Sequence, residues 1–219
     1  VKSKYQRIQI FDTYLFGKIL ALDGIVQITE KDEAAYSELL AHIPIYSLKN
    51  PRKILIVGGG DGAVAEEVLK HNNITTVDLV DIDGKVIELC KKYLKKIHKN
   101  VFKNRKLHIF ECDASKFIEK TKNKYDVIIA DRPDPIGVAA VLFKNRFYKN
   151  ISKILSKEGV VVFQSGVSFL QNKENIDTLR SIKKTFNFYG VFLTVVPTYI
   201  GGHMVLVWAS NNTKLDFKI

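Results

Sequence analysis

Six aspartates stand at or just past the ends of apolar runs in this 219-residue chain: Asp61, Asp81, Asp83, Asp113, Asp131 and Asp134. A carboxylate in such a place can hold a cation, accept from ribose hydroxyls or take a proton from a nucleophile. Around the first runs Gly58-Gly59-Gly60-Asp61-Gly62-Ala63, a GxGxxA variant whose glycines permit a tight turn and close approach of a ligand to the backbone. This loop follows an apolar strand and precedes a helix, and Asp81 ends the next strand about 20 residues on, where a carboxylate can accept both ribose hydroxyls. Glycine loop and Asp81 together point to a nucleoside-type ligand. A phosphate-rich dinucleotide would be repelled by this rim, whereas a ligand bearing sulfonium and ammonium charges would be attracted. Helix capping and turn chemistry are the alternative use of each aspartate taken singly, Asp83 foremost. The five His residues show no ligand spacing and the carboxylates are spread over different strands, so no metal site is expected.

These aspartates share a rim only if the strands that carry them share a sheet. After Pro51, KILIVG, a helix from about Ala63 to Lys70, TVDLVDI, a helix through Val86 to Ile97, LHIFECD, a helix around Phe117 and YDVIIAD alternate. That is the βαβ signature of a parallel sheet with helices on both faces, and the continuous apolar runs fit strands buried on both sides. In such a sheet ligands bind beyond the carboxyl ends of the strands. Further on come a helix from about Tyr148 to Leu155, GVVVFQSG, a helix from about Asn172 to Phe188, and VFLTVVPTY with MVLVWAS as a paired antiparallel edge. Before Pro51, YQRIQIF, LFGKILAL and GIVQIT read as three short strands with an Asp23-Gly24 turn, a small antiparallel meander. KDEAAYSELLAHIPIYSL, with Tyr36, Leu39, Leu40 and Ile43 at helical spacing, then bridges to the break at Asn50-Pro51. The expected organisation is an N-terminal β-strand domain with a bridging helix over 1–50 and a Rossmann-like nucleoside-binding catalytic domain over 51–219.

The segments YQRIQIF, LALDGIVQITEKDEAAYSELLAH, KILIVGGGDGAVAEEVLKH, VDIDGKVI, DVIIADRPDP with LFKNRFY, and VPTYIGGHM resemble the spermidine synthase family, the polyamine aminopropyltransferases. The resemblance implies an α/β fold, a methyltransferase-type doubly wound sheet with a small N-terminal antiparallel β domain. It implies transfer of the aminopropyl group of decarboxylated S-adenosylmethionine to an amine, putrescine by default, giving spermidine and methylthioadenosine. The nucleoside is then a co-substrate, and no resident cofactor is expected. Asp131 would be the catalytic base and would touch both substrates. Gln6, Gly58, Gly60, Asp61, Asp81 and Asp113 would hold the donor: Asp61 its ammonium, Asp81 its ribose and Asp113 its adenine. Tyr36, Asp134, Gln164 and Tyr199 would line the amine site, where carboxylates and tyrosine faces suit ammonium groups. The family's assembly through its N-terminal strands implies a homodimer or homotetramer.

Three departures from the family pattern fall on the amine side. Ser37 stands where a longer His or Gln is usual, Arg132 and Pro133 replace small hydroxyl residues, and SGVSF follows Gln164 in place of an acidic continuation. A guanidinium beside Asp131 is expected to lower that aspartate's pKa unless it points outward. The same fold and nucleoside features would serve an S-adenosylmethionine-dependent methyltransferase, and the departures would suit a catalytically silent homologue.

Composition narrows the remaining classes. With 46% hydrophobic and 26% charged residues the chain is neither disordered nor collagenous, and Cys90 and Cys112 cannot staple a fold. A cytosolic, reducing location is expected. No run approaches the ~18 apolar residues of a membrane helix, the N-terminus has no apolar signal core, and the missing initial Met suggests trimming upstream. The excess of 34 Lys and Arg over 23 Asp and Glu gives a net charge of +11, with eight basic residues and no acidic one between Lys91 and Lys106. No aromatic pair or RNA-binding motif accompanies that run, so a solvated face is expected rather than a nucleic-acid partner.

Overall fold

The computed structural model describes residues 1–135 and 137–215. Strands β1 (Ile8–Thr13), β2 (Gly17–Leu22) and β3 (Ile25–Thr29) form an antiparallel sheet in chain order. Asp23 and Gly24 both take positive φ, as a two-residue turn between β2 and β3 requires. Helix α1 (Glu33–Tyr46) then leads into the second sheet, which comprises β4 (Lys53–Gly58), β5 (Thr76–Asp81), β6 (Leu107–Glu111), β7 (Tyr125–Asp131), β8 (Leu155–Gly166), β9 (Phe188–Val195) and β10 (His203–Ser210). Its seven strands run in the order β6-β5-β4-β7-β8-β10-β9, with β4 to β8 parallel and β10 antiparallel to both neighbours. This is the doubly wound order, and the sheet turns from one direction of winding to the other between β4 and β7. The expected parallel sheet and antiparallel edge are both present.

Strand alternation divides the core in two. Ile54 and Ile56 of β4, Val127 and Ile129 of β7, and Val160 and Val162 of β8 pack with Leu40 of α1 and Val64 and Val68 of α2 (Ala63–Leu69). Leu55, Val57, Ile128, Ala130, Val161 and Phe163 face the other way, against α5 (Ala114–Lys120), α6 (Asn145–Ile154) and α7 (Asn172–Lys183). Each face is apolar because every second residue of a parallel strand must be buried against one helical layer.

Helix boundaries shift where local signals were weak. The expected Val86–Ile97 helix is α3 (Gly84–Tyr93) followed by a single turn, α4 (Lys95–His98), broken at Leu94, whose φ/ψ of −105°/37° are not helical. The helix expected to reach Phe188 stops at Lys183, and Phe188 already belongs to β9. The aromatic and β-branched run from Phe188 pairs along its length with β10, and that pairing overrides any helical propensity.

Candidate active site

The ligand-binding position of a doubly wound sheet is the crevice at its switch point. Here it is built by the end of β4, where Gly58 pairs with Asp131 of β7. Gly58, Gly59 and Gly62 all have positive φ, and a side-chain carbon on Gly58 would collide with the Asp131 carbonyl. Only glycine lets the two strand ends approach this closely. The loop then turns into α2 with the Asp61 carboxylate accepting from the Ala63 N–H at 2.8 Å.

Three of the six aspartates meet in this crevice. Asp131 carries Oδ1 in a 2.6 Å hydrogen bond from the Tyr36 hydroxyl of α1. Asp81 accepts from the Gly60 N–H at 3.1 Å and the Asp83 N–H at 2.9 Å, so the glycine loop and the end of β5 are tied through one carboxylate. Burial pushes Asp131 up to about 7, helped by the negative charge of Asp61 and opposed by the Tyr36 bond. Burial likewise pushes Asp81 up to about 6 against its two backbone N–H bonds, with Asp61 and Asp83 adding to the rise. Asp61 is itself raised by burial. Three like charges withdrawn from water resist joint ionisation, and a bound cation would relieve them.

Aromatic and amide groups close one side. Tyr199 stands edge-on to Tyr36 with ring centroids 6.4 Å apart, and its hydroxyl donates to the Gln27 carbonyl of β3 at 2.6 Å. Both phenols are held neutral, their pKa values raised first by burial and then by the charge of Asp131. Gln164, near the end of β8, is buried; its Nε2 lies 3.5 Å from the Met204 sulfur, while its Oε1 has no partner among the described residues. Ser37 is also buried, its hydroxyl without a partner among the described residues. Asp134 accepts from Gln171 Nε2 at 2.8 Å.

The other candidates lie further out. Asp113 caps α5, accepting from the N–H groups of Ser115 at 2.8 Å and Lys116 at 3.3 Å, at the end of the edge strand β6. Gln6 donates its amide to Asp83 Oδ2 at 2.9 Å, and Ser3 donates to the same oxygen at 2.6 Å. Asp83 also caps α3 through Lys85 N–H, so its capping use is present together with a second one, anchoring the N-terminal segment.

Arg132 corrects an expectation. It neither lowers Asp131 nor points outward; it is buried on the opposite face of the sheet, its guanidinium 3.7 Å from the Phe143 ring centroid. Alternation along β7 is the reason, since from Val127 onward odd residues face α1 and even ones face α6. Two further residues were not singled out in the sequence. Asp32 accepts from Thr198 N–H at 2.9 Å and Thr198 Oγ1 at 2.7 Å, fixing the loop that carries Tyr199. Gln171 joins Asp134 to the Val167 N–H, on which its Oε1 sits at 2.8 Å. Asp32 lies four residues before Tyr36 in the LALDGIVQITEKDEAAYSELLAH segment, but its partner is 166 residues away and no local signal names it.

Comparison with known proteins is consistent across three kinds of match. Residues 33–219 match the model for the spermine/spermidine synthase domain, and residues 1–30 match that for the spermidine synthase tetramerisation domain. A polyamine aminopropyltransferase of Ruegeria sp. (strain TM1040) is 40% identical over 97% of this chain and 75% of its own length. One from Buchnera aphidicola subsp. Schizaphis graminum is 40% identical over 99% of this chain and 75% of its own. Among solved structures, a spermidine synthase in complex with the transition state analogue AdoDATO superposes with a TM-score of 0.95 at 37% identity, covering 98% of this chain and 73% of that one. Spermidine synthase from Thermotoga maritima gives 0.91 at 35% identity, covering 99% and 74%.

Proposed function

The chain belongs to the spermine/spermidine synthase family, and from that premise we propose that its crevice transfers the aminopropyl group of decarboxylated S-adenosylmethionine to putrescine. The products are spermidine and methylthioadenosine. One observation carries the reading: a partly buried Asp131, held by Tyr36 and pushed up to about 7, sits beside Asp61 and Asp81 at the switch point. A general base works best with a pKa near the working pH.

The amine arrives as an ammonium with a pKa of ~10.4, which has no lone pair to attack with. Asp131 takes its proton. The nitrogen then forms a bond to the aminopropyl carbon next to sulfur, the C–S bond breaks, and its electron pair leaves with methylthioadenosine as a neutral thioether. Tyr36 fixes one oxygen of Asp131 and leaves the other to meet the amine. Asp61 receives the donor's ammonium, Asp81 its ribose and Asp113 its adenine, with Gly58 and Gly60 giving the backbone approach and Gln6 closing from the N-terminal segment. Asp134, Gln164, Tyr36 and Tyr199 hold the amine, and the unpartnered Gln164 oxygen is the acceptor an ammonium N–H needs.

The match of residues 1–30 to a tetramerisation domain supports an oligomer, and we assign a homodimer or homotetramer joined through the N-terminal strands. The buried thiol of Cys90 and the free Cys112 support a reducing, cytosolic location. Among the described residues no helix is long and apolar enough to cross a membrane. The test incubates the protein with decarboxylated S-adenosylmethionine and a mixture of amines, following methylthioadenosine and the mass of the amine product, beside a tube of ordinary S-adenosylmethionine. One amine gaining an aminopropyl unit is the expected result. Methyl transfer in the parallel tube overturns the reading.

A further inference from the structure

Arg132 lies between two residues of the proposed site, Asp131 and Asp134, and is 1% exposed. Its polar partners among the described residues are all neutral: Nε donates to the Gln164 carbonyl at 3.2 Å, Nη1 to the Leu142 carbonyl, and Nη2 to Tyr148 Oη at 3.0 Å and Thr178 Oγ1 at 3.5 Å. Three rings surround the guanidinium, with centroids 3.7 Å away at Phe143, 5.2 Å at Phe163 and 5.3 Å at Tyr148. Burying a cation without an anion is unfavourable, so a residue kept there for stability alone would be apolar or small. Here carbonyl dipoles and ring faces hold the charge, and the planar fork reaches several elements at once.

Two of the elements it reaches adjoin residues of the proposed amine site, and the other two, α6 and α7, belong to the opposite helical layer. Leu142 and Phe143 end the 3-10 helix Gly137–Phe143 that follows Asp134, Gln164 lies two residues before the end of β8, Tyr148 is on α6 and Thr178 on α7. The bond at Gln164 is to the backbone, leaving the side-chain amide on the opposite, Asp131 face of β8. We propose that Arg132 is a positioning residue that locks the segment after Asp134 onto the end of β8, so that Asp134 and Gln164 address one amine. The proposal rests on the assignment of the amine site to those residues.

The test replaces Arg132→Met, which keeps the length and removes fork and charge, and measures amine and donor separately. Expected is a fall in kcat/KM for the amine of between about tenfold and 100-fold, with donor affinity within about twofold and faster hydrogen exchange of the amides of residues 137–143. Arg132→Lys, which keeps the charge without the fork, is expected to restore only part of the loss. If the Met variant does not fold, Phe143→Leu, which thins the cage, carries the same expectations at smaller size. Unchanged amine kinetics in a folded variant, full rescue by Lys, or equal loss of donor and amine binding overturns the proposal. If the unaltered protein transfers no aminopropyl group, the reaction assigned above fails, and hydrogen exchange alone then decides: unchanged exchange at 137–143 overturns the lock.

Discussion

At the scale of single residues, the decisive property is how far burial lifts the carboxylates. Asp131 near 7 and Asp81 near 6 both lie above the ~3.9 of an aspartate in an unfolded chain. Between those values the folded state holds protons that the unfolded state has released, so this contribution to stability is full below about pH 4 and is lost as pH rises through 7. Asp131→Asn removes the larger lift. The variant should match the parent near pH 4 and exceed it in urea unfolding by a few kcal/mol, on the order of the shift itself, at pH 8. An advantage that does not grow with pH would refute the raised Asp131. The same variant should lower kcat by about 100-fold or more while leaving the donor bound, as isothermal titration would register.

At the scale of elements, two aspartates act as ties between distant parts of the chain. Asp32, in front of α1, has no capping bond of its own and instead holds Thr198. Asp32→Ala should cost roughly 1–3 kcal/mol for the donors left without a partner, and raise the amine KM several-fold because Tyr199 is carried on the freed loop. Donor affinity should stay unchanged. Asp83→Ala removes a helix cap, for which ~1 kcal/mol is typical, and both anchors of the N-terminal segment, Ser3 and Gln6. Its expected sign is faster proteolysis within residues 1–7 under native conditions; equal cleavage of both proteins would remove Asp83 from this role.

At the scale of the whole molecule, charge and apolar surface are sorted. Net charge is +11, yet the crevice is a cluster of aspartates, so the field inside it opposes the field outside. A polycationic substrate is thus drawn by the pocket and not by the bulk surface. Phe11, Tyr14 and Leu15, on and beside the β1–β2 hairpin, are exposed within the segment that matches a tetramerisation domain. Exposed apolar groups on a sheet edge need a cover. Tyr14→Asp combined with Leu15→Asp should lower the mass seen by light scattering; an unchanged mass would move the subunit contact away from this hairpin.

Much of this could be read locally. The order of strands and helices, the antiparallel edge, the Asp23-Gly24 turn and the aspartates at or just past the ends of β4, β5, β6 and β7 follow from periodicity and turn chemistry, properties of neighbouring residues. Even Arg132's face was available, since alternation along YDVIIADR sends it away from Asp131, though charge alone suggested otherwise. What folding decided is which groups lose their water together. Asp61, Asp81 and Asp131 stand far apart along the chain, and their raised pKa values are sums over surroundings assembled from α1, α2 and the ends of β4, β5 and β7. The bonds of Asp32 to Thr198 and Gln171 to Asp134 span 166 and 37 residues. Burial and electrostatics act through space, and chain order carries no record of those distances.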